Sequence, residues 1–330
     1  MKGPFIHTKN TSFKIMKNIL IALIPLILFA IYKNGIVLFF KGNASFLDSI
    51  YPLFLILICS LSTFTFDTLY TLIFCKDKMD IKEYIRNSFS FIPGIILSLV
   101  IPINTPIFVI IISCLISTIL GKLLFGISNK CLFNTVALSF LIISIFSLIN
   151  GGYSYLNSYE NTKYTSTPLQ AEISNGLNYS YDETVKSYGS LKQFFVGNVP
   201  GGIGEVSILI CIISFIYLIV KKSIKYLIPI SIFVTLLIGF TVGGLINNFD
   251  GYFALFNIFT GGIIFSSIFI SSSMFTSPIT SKGQIIYGIL IGILTLIFRF
   301  IIPFGDIFLA TLICNLLVPL IDNICIRLNR

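Results

Sequence analysis

A helical protein that threads a membrane about ten times is the fold class this sequence predicts, and three observations predict it. The 330 residues are 55% hydrophobic and only 11% charged, with a mean hydropathy of +0.96, more apolar surface than a soluble core can hide. The apolar residues gather into segments of membrane-crossing length separated by polar breaks. The basic residues lie in those breaks with a one-sided bias and form no patch. The formal charge of +9 therefore reads as membrane topology, with the lipid bilayer as a partner and no nucleic acid.

Taken in order, ten segments emerge near 18–40, 47–75, 89–103, 105–125, 131–149, 203–220, 225–247, 254–273, 284–302 and 307–326. The third is the shortest. The Lys-flanked run at the N-terminus has the look of a signal peptide but lacks a small-residue cleavage site. With the N-terminus inside, 16 of the 22 Lys and Arg residues fall in cytoplasmic loops. The other six are Lys33, Lys41, Lys163, Lys186, Lys192 and Arg299. Both termini are then cytoplasmic, and the long polar interval between segments five and six is outside.

That interval divides the chain into a five-helix half (1–149), an extracytoplasmic loop (150–202) and a second five-helix half (203–330). The halves echo each other. Ser90-Phe-Ile-Pro-Gly-Ile-Ile96 opens the third segment of one, and Ile258-Phe-Thr-Gly-Gly-Ile-Ile264 runs through the start of the third segment of the other. Each fifth segment carries an Asn, Asn134 and Asn315. An odd number of spans per half turns the second copy upside down, an arrangement that in transporters gathers a site near the midplane. Gly-rich helix starts also recur simply because small residues allow close packing.

Few residues carry obvious chemistry. Asp67 is the acid deepest in a segment. A carboxylate there faces a cavity or an ion path, or is protonated and hydrogen-bonded to a neighbouring helix. Glu205 follows Gly-Gly-Ile-Gly and opens the sixth segment, where an acid also complements the helix dipole. Asp322 near the cytoplasmic end of the last segment is placed to snorkel or to pair with Arg327. The seven Cys are scattered without a C-x-x-C pair and read as small core residues. A single His, His7, leaves no His triad and no His-rich metal site. No phosphate loop of the G-x-x-x-x-G-K-[ST] or G-x-G-x-x-G type is present. In the outer loop, Thr165, Ser166 and Thr167 precede Pro168 and Leu169, hydroxyls open to modification or ordinary loop polars.

Four stretches in register carry a family resemblance. They are Pro4–Met16 running into Asn18-Ile-Leu-Ile-Ala-Leu-Ile-Pro25, Gly197-Asn-Val-Pro-Gly-Gly-Ile-Gly-Glu-Val-Ser207, Thr276-Ser-Pro-Ile-Thr-Ser-Lys-Gly-Gln284, and Asn315-Leu-Leu-Val-Pro-Leu-Ile-Asp322. Together they resemble the D subunit of the Rnf electron-transport complex (RnfD), a relative of the B subunit of the sodium-pumping NADH:quinone reductase. The resemblance implies ten spans in two inverted five-helix repeats and a bacterial cytoplasmic membrane location. It implies FMN joined as a phosphoester to Thr167, the hydroxyl residue that matches the family's Thr-Pro-Leu ending, and a second, non-covalent flavin (riboflavin or FMN). It also implies a flavin transferase and the other Rnf subunits as partners, and electron transfer between ferredoxin and NAD coupled to sodium or proton movement. Asp67 falls where the family has an acid and is the ion-path candidate. The chain departs from the family pattern at Ser273 and at Asn87, where the family has Asp, and within Thr165-Ser166-Thr167, where it has an Ala. A flavin-free channel or transporter on the same repeat, or a structural subunit without flavin, are the competing expectations.

Overall fold

Hydrocarbon offers no partner to a bare peptide group, so a chain this apolar satisfies its backbone within helices. The computed structural model describes residues 12–42, 45–74, 89–123, 132–149, 155–157, 162–164, 190–249, 252–299 and 306–327. The first half comprises α1 (Ser12–Ile31), which passes through a π-helical turn (Tyr32–Ile36) into α2 (Val37–Phe40), then α3 (Phe46–Phe74), α4 (Ile92–Val100), α5 (Ile107–Thr118) and α6 (Thr135–Ile149). A small ribbon follows, β1 (Tyr155–Asn157) antiparallel to β2 (Thr162–Tyr164), with Tyr155 opposite Tyr164. A short α7 (Leu191–Val196) ends the loop, and the second half comprises α8 (Ile208–Val220), α9 (Leu227–Ile246), α10 (Phe253–Phe259), α11 (Ile263–Ser266) with its π-helical continuation Ser267–Ser271, α12 (Ser281–Arg299) and α13 (Asp306–Arg327).

Each of the ten predicted segments contains a helix, but the helices are unequal. Among the described residues, five are long and apolar enough to cross a membrane, and six if the bent pair α10–α11 counts as one span. The helices at Ile107–Gly121, Thr135–Ile149 and Ile208–Val220 are apolar but shorter. Two expectations of continuous helix fail for backbone reasons. The segment predicted over 254–273 breaks after Phe259 and turns by 58°, because Gly261 and Gly262 adopt φ of 70° and 66°, the left-handed region that glycine alone enters freely. The segment predicted from 203 becomes helical only at Ile208, since the Gly-rich stretch before it is held in irregular contacts.

Polarity is distributed as lipid requires. Lys33, Asp67, Arg299 and Asp306 are buried, whereas Phe40, Leu245 and Ile246 point outward. The five cysteines among the described residues are free and buried, as small core side chains. Helices approach through small residues. Gly288 and Gly292, one turn apart on α12, lie against Ser231 and Thr235, one turn apart on α9. A Cβ on Gly288 would come within 2.9 Å of the Ile228 carbonyl oxygen, and one on Gly292 within 2.7 Å of Thr235 Cβ. Side chains tie α1 to α8 and to the turn after it: Ser214 Oγ donates to the Ala22 carbonyl (2.8 Å) and Asn18 Nδ2 to Ser223 Oγ (2.7 Å).

This packing makes one substitution costly at one glycine and harmless at another. Gly288→Ala forces α9 and α12 apart and should cost about 1–3 kcal/mol. Gly243→Ala, whose new methyl would meet nothing within 4 Å, should leave stability unchanged. Thermal unfolding of the two variants in detergent checks this, and equal midpoints would refute the close α9–α12 contact.

Candidate functional site

The polar residues of the interior collect just before α4, around the break between α10 and α11, and between the two halves. In the first half, Phe89 adopts a positive φ (46°) just before α4, and the neighbouring Ser90 donates its hydroxyl to Asp67 Oδ2. Asp67 therefore faces protein, not lipid, and is 4% exposed. Thr71 Oγ1 caps the Asp67 carbonyl one turn on (2.8 Å).

Near the outer end, by the sequence topology, the stretch 197–207 closes the C-terminus of α4. The amides of Ile203, Gly204 and Glu205 donate to the carbonyls of Ile101 (3.2 Å) and Leu99 (2.8 and 3.1 Å), which have no helical partner of their own. Gly202 has to be glycine, because a Cβ there would sit 2.7 Å from the Val100 carbonyl carbon. Two side chains from the π-helical turn pin the same stretch: Lys33 Nζ donates to the Val199 carbonyl (2.6 Å) and Asn34 Nδ2 to the Ile203 carbonyl (2.9 Å). Glu205 Oε1 accepts from its own loop at Gly202 N (3.3 Å), while Oε2 lies against Gly262 at the break before α11.

Beside that break sits a buried ion pair. Arg299, 1% exposed at the end of α12, donates through Nε to Asp306 Oδ2 at the start of α13. Its Nη1 donates to the Asn257 carbonyl (2.9 Å) and to Thr260 Oγ1 (3.2 Å), thereby capping α10. The guanidinium also lies over the Phe240 ring, 5.9 Å from its centroid.

Between the halves, Asn134 caps α6, accepting from Val136 N (3.0 Å) and Ala137 N (3.3 Å), and donates to the Ile270 carbonyl (2.8 Å). We orient the Asn315 amide so that both ends are matched: its nitrogen donates to Tyr287 Oη (2.6 Å) and the Thr276 carbonyl (3.3 Å), and its oxygen accepts from Asn134 N (3.1 Å). The two asparagines picked out as equivalent in the sequence thus meet. At the far end, Lys225 Nζ donates to Ser277 Oγ (2.9 Å) and to the carbonyls of Ser277 (3.0 Å) and Pro278 (3.1 Å). Burial holds its ammonium below the usual lysine range, opposed by the Asp322 charge. Asp322 itself accepts from Ile279 N (3.0 Å).

Thr167, with Thr165, Ser166 and Pro168, lies outside the described residues, so the site predicted there has no geometry. The structure brings Glu205 into the interior but does not bring Asp67 to it by any described contact. Lys33, Arg299 and Asp306 were missed as site residues. The charge count leaves Lys33 and Arg299 out of the cytoplasmic loops, yet both lie inside apolar segments, and that position is the signal that marks them.

A broken span and ion-paired charges sealed among apolar helices define a polytopic membrane protein whose interior is built for polar work. The comparisons make this specific. Residues 1–329 match the NQR2, RnfD, RnfE family, and the chain belongs to it. Over 97% of its length it is 28% identical to the D subunit of the Na(+)-translocating ferredoxin:NAD(+) oxidoreductase complex of Acetobacterium woodii, covering 91% of that protein. It is also 28% identical to the D subunit of the proton-translocating ferredoxin:NAD(+) oxidoreductase complex of Clostridium ljungdahlii, over 72% of this chain and 73% of that one. Against the B subunit of the Na(+)-translocating NADH-quinone reductase of Chromohalobacter salexigens it is 25% identical over 72% of its own length and spans only 58% of that relative.

The buried pair predicts non-additive losses. Arg299→Leu or Asp306→Leu alone strands the other charge and should cost about 3–5 kcal/mol, whereas the double variant should lose less than either single change. Detergent thermal-unfolding midpoints for the three variants decide it; additive losses would contradict the pairing.

Proposed function

We propose that this chain is the membrane subunit of an ion-translocating ferredoxin:NAD oxidoreductase of the Rnf type, working beside the other membrane and peripheral subunits of that complex. The observation that carries the reading is the family match over residues 1–329, together with a relative named as the D subunit of such a complex that aligns with 97% of the chain. The chain crosses the bacterial cytoplasmic membrane ten times as two inverted five-helix repeats, 1–149 and 203–330. Both termini are cytoplasmic and the loop 150–202 is outside. Support for the repeat comes from equivalent features. Asn134 and Asn315 meet, and the first helices of the repeats 1–149 and 203–330, α1 and α8, are tied by a side-chain bond. The coupling ion is sodium or a proton.

On this reading FMN is joined through its phosphate to Thr167, and a second, non-covalent flavin, riboflavin or FMN, is held in the membrane part. A bound isoalloxazine supplies one-electron transfer, and the protein contributes position and electrostatics. Thr167 has the hydroxyl that a phosphoester needs. Pro168 biases it toward extended backbone, a shape that a flavin transferase can reach. Asp67, hydrogen-bonded by Ser90 just before α4, is the ion-path carboxylate of this reading.

Thr167→Ala removes the hydroxyl at small structural cost. In the chain co-expressed with a flavin transferase, it should abolish flavin fluorescence in denaturing gels while membrane abundance stays normal, and Thr165→Ala should retain the fluorescence. Fluorescence that survives Thr167→Ala, or is missing from the unsubstituted chain, overturns the attachment. Asp67→Asn keeps the hydrogen bond to Ser90 possible and removes the charge. In the assembled complex it should lower ion movement per electron transferred, measured in vesicles; equal loss of both activities would exclude Asp67 from the path.

A further inference from the structure

Three polar atoms around the break between α10 and α11 meet no protein partner. The first is Glu205 Oε2, which abuts Gly262 and is closed to solvent although the residue as a whole is half-buried. The second is Arg299 Nη2, left over after Nε takes Asp306 and Nη1 takes Asn257 and Thr260. The third is Ser266 Oγ, one turn into the helix that starts at Gly262 and whose amide donates to the Gly262 carbonyl (2.9 Å). Arg299 and Ser266 are each 1% exposed. An acceptor, a charged donor and a hydroxyl thus surround one three-residue interruption, Thr260–Gly262, where the chain turns by 58°.

Unmatched buried polar atoms cost free energy unless something small and polar completes them. The charges here select what that is. Lys33 and Arg299 disfavour a metal cation, and Glu205 and Asp306 disfavour an anion. Molecules that are neutral and can both donate, as Glu205 Oε2 needs, and accept, as Arg299 Nη2 needs, suit these atoms, and water does both. A buried carboxyl that has one oxygen without a protein donor can exchange a proton through a water that reaches that oxygen.

We infer that the α10–α11 break holds a buried water cluster through which Glu205 exchanges a proton. The charged and titratable groups that face Glu205 are Lys33 from the π-helical turn after α1, Asp306 from α13, with Arg299 of α12 paired to it, and Cys211 on α8, whose thiol lies 4.0 Å from the Glu205 carbonyl. Lys33 and Asp306 bring charges of opposite sign to bear on Glu205. The inference uses neither Thr167, Asp67 nor any flavin, and it stands or falls independently of the redox reading above.

Infrared spectroscopy of the purified full-length protein in detergent, titrated with pH in H2O and D2O, tests it. The expected result is a C=O stretching band of a protonated carboxyl that vanishes as pH rises and moves to lower frequency in D2O. Glu205→Gln should lose this band, and Asp67→Asn should keep it. Lys33→Met removes the charge that favours the carboxylate and should move the transition to higher pH; because it leaves Glu205 in place, it decides the matter even if Glu205→Gln fails to fold. The inference is overturned by a band that persists in folded Glu205→Gln, by one that does not respond to D2O, or by a transition that ignores Lys33→Met. It is also overturned if sodium chloride at constant pH removes the band, the mark of a cation site.

Discussion

A charge sealed away from water has to be answered inside the protein, and the rest of the second half depends on how Arg299 is answered. In a medium of low dielectric an isolated guanidinium is prohibitively costly, so its neighbours are constrained to supply acceptors in fixed places. Asp306 does so from the next helix, which sets where α13 begins relative to α12. The Asn257 carbonyl and the Thr260 hydroxyl do so from α10, and in the process the open end of that short helix is closed. One side chain thereby joins three helices and makes a seven-residue half-helix tenable at membrane depth.

The stretch 197–207 performs the matching task for the first half. Its amides complete the exposed carbonyls of α4, while Lys33 and Asn34 complete its own carbonyls. Because the donating amides of Ile203, Gly204 and Glu205 belong to the second half and the carbonyls to the first, the two halves cannot separate without leaving peptide groups unpaired. The Asn134–Asn315 contact is a second lock of the same kind. Glu205 sits where the two devices meet, next to Gly202 on one side and Gly262 on the other. Backbone can come that close only because both positions lack a Cβ.

Composition and spacing by themselves determined that the chain is a helical membrane protein, where its ten apolar segments lie, and which family motifs it carries, because lipid solvation acts on each segment separately and leaves a local record. Asp67 and the paired asparagines were legible for the same reason: a polar residue in an apolar run stands out wherever it ends up. The tertiary structure alone decided which of those segments are broken and what the buried charges do. Gly261 and Gly262 could equally have been close-packing residues within a straight helix, as Gly288 and Gly292 are on α12. Lys33 and Arg299, counted by charge as outer-face residues, could have snorkelled to the surface. Their burial follows from partners 166 and 42 residues away in the chain, Val199 and Asn257, and no local pattern encodes a contact whose energy exists only when distant segments have already met.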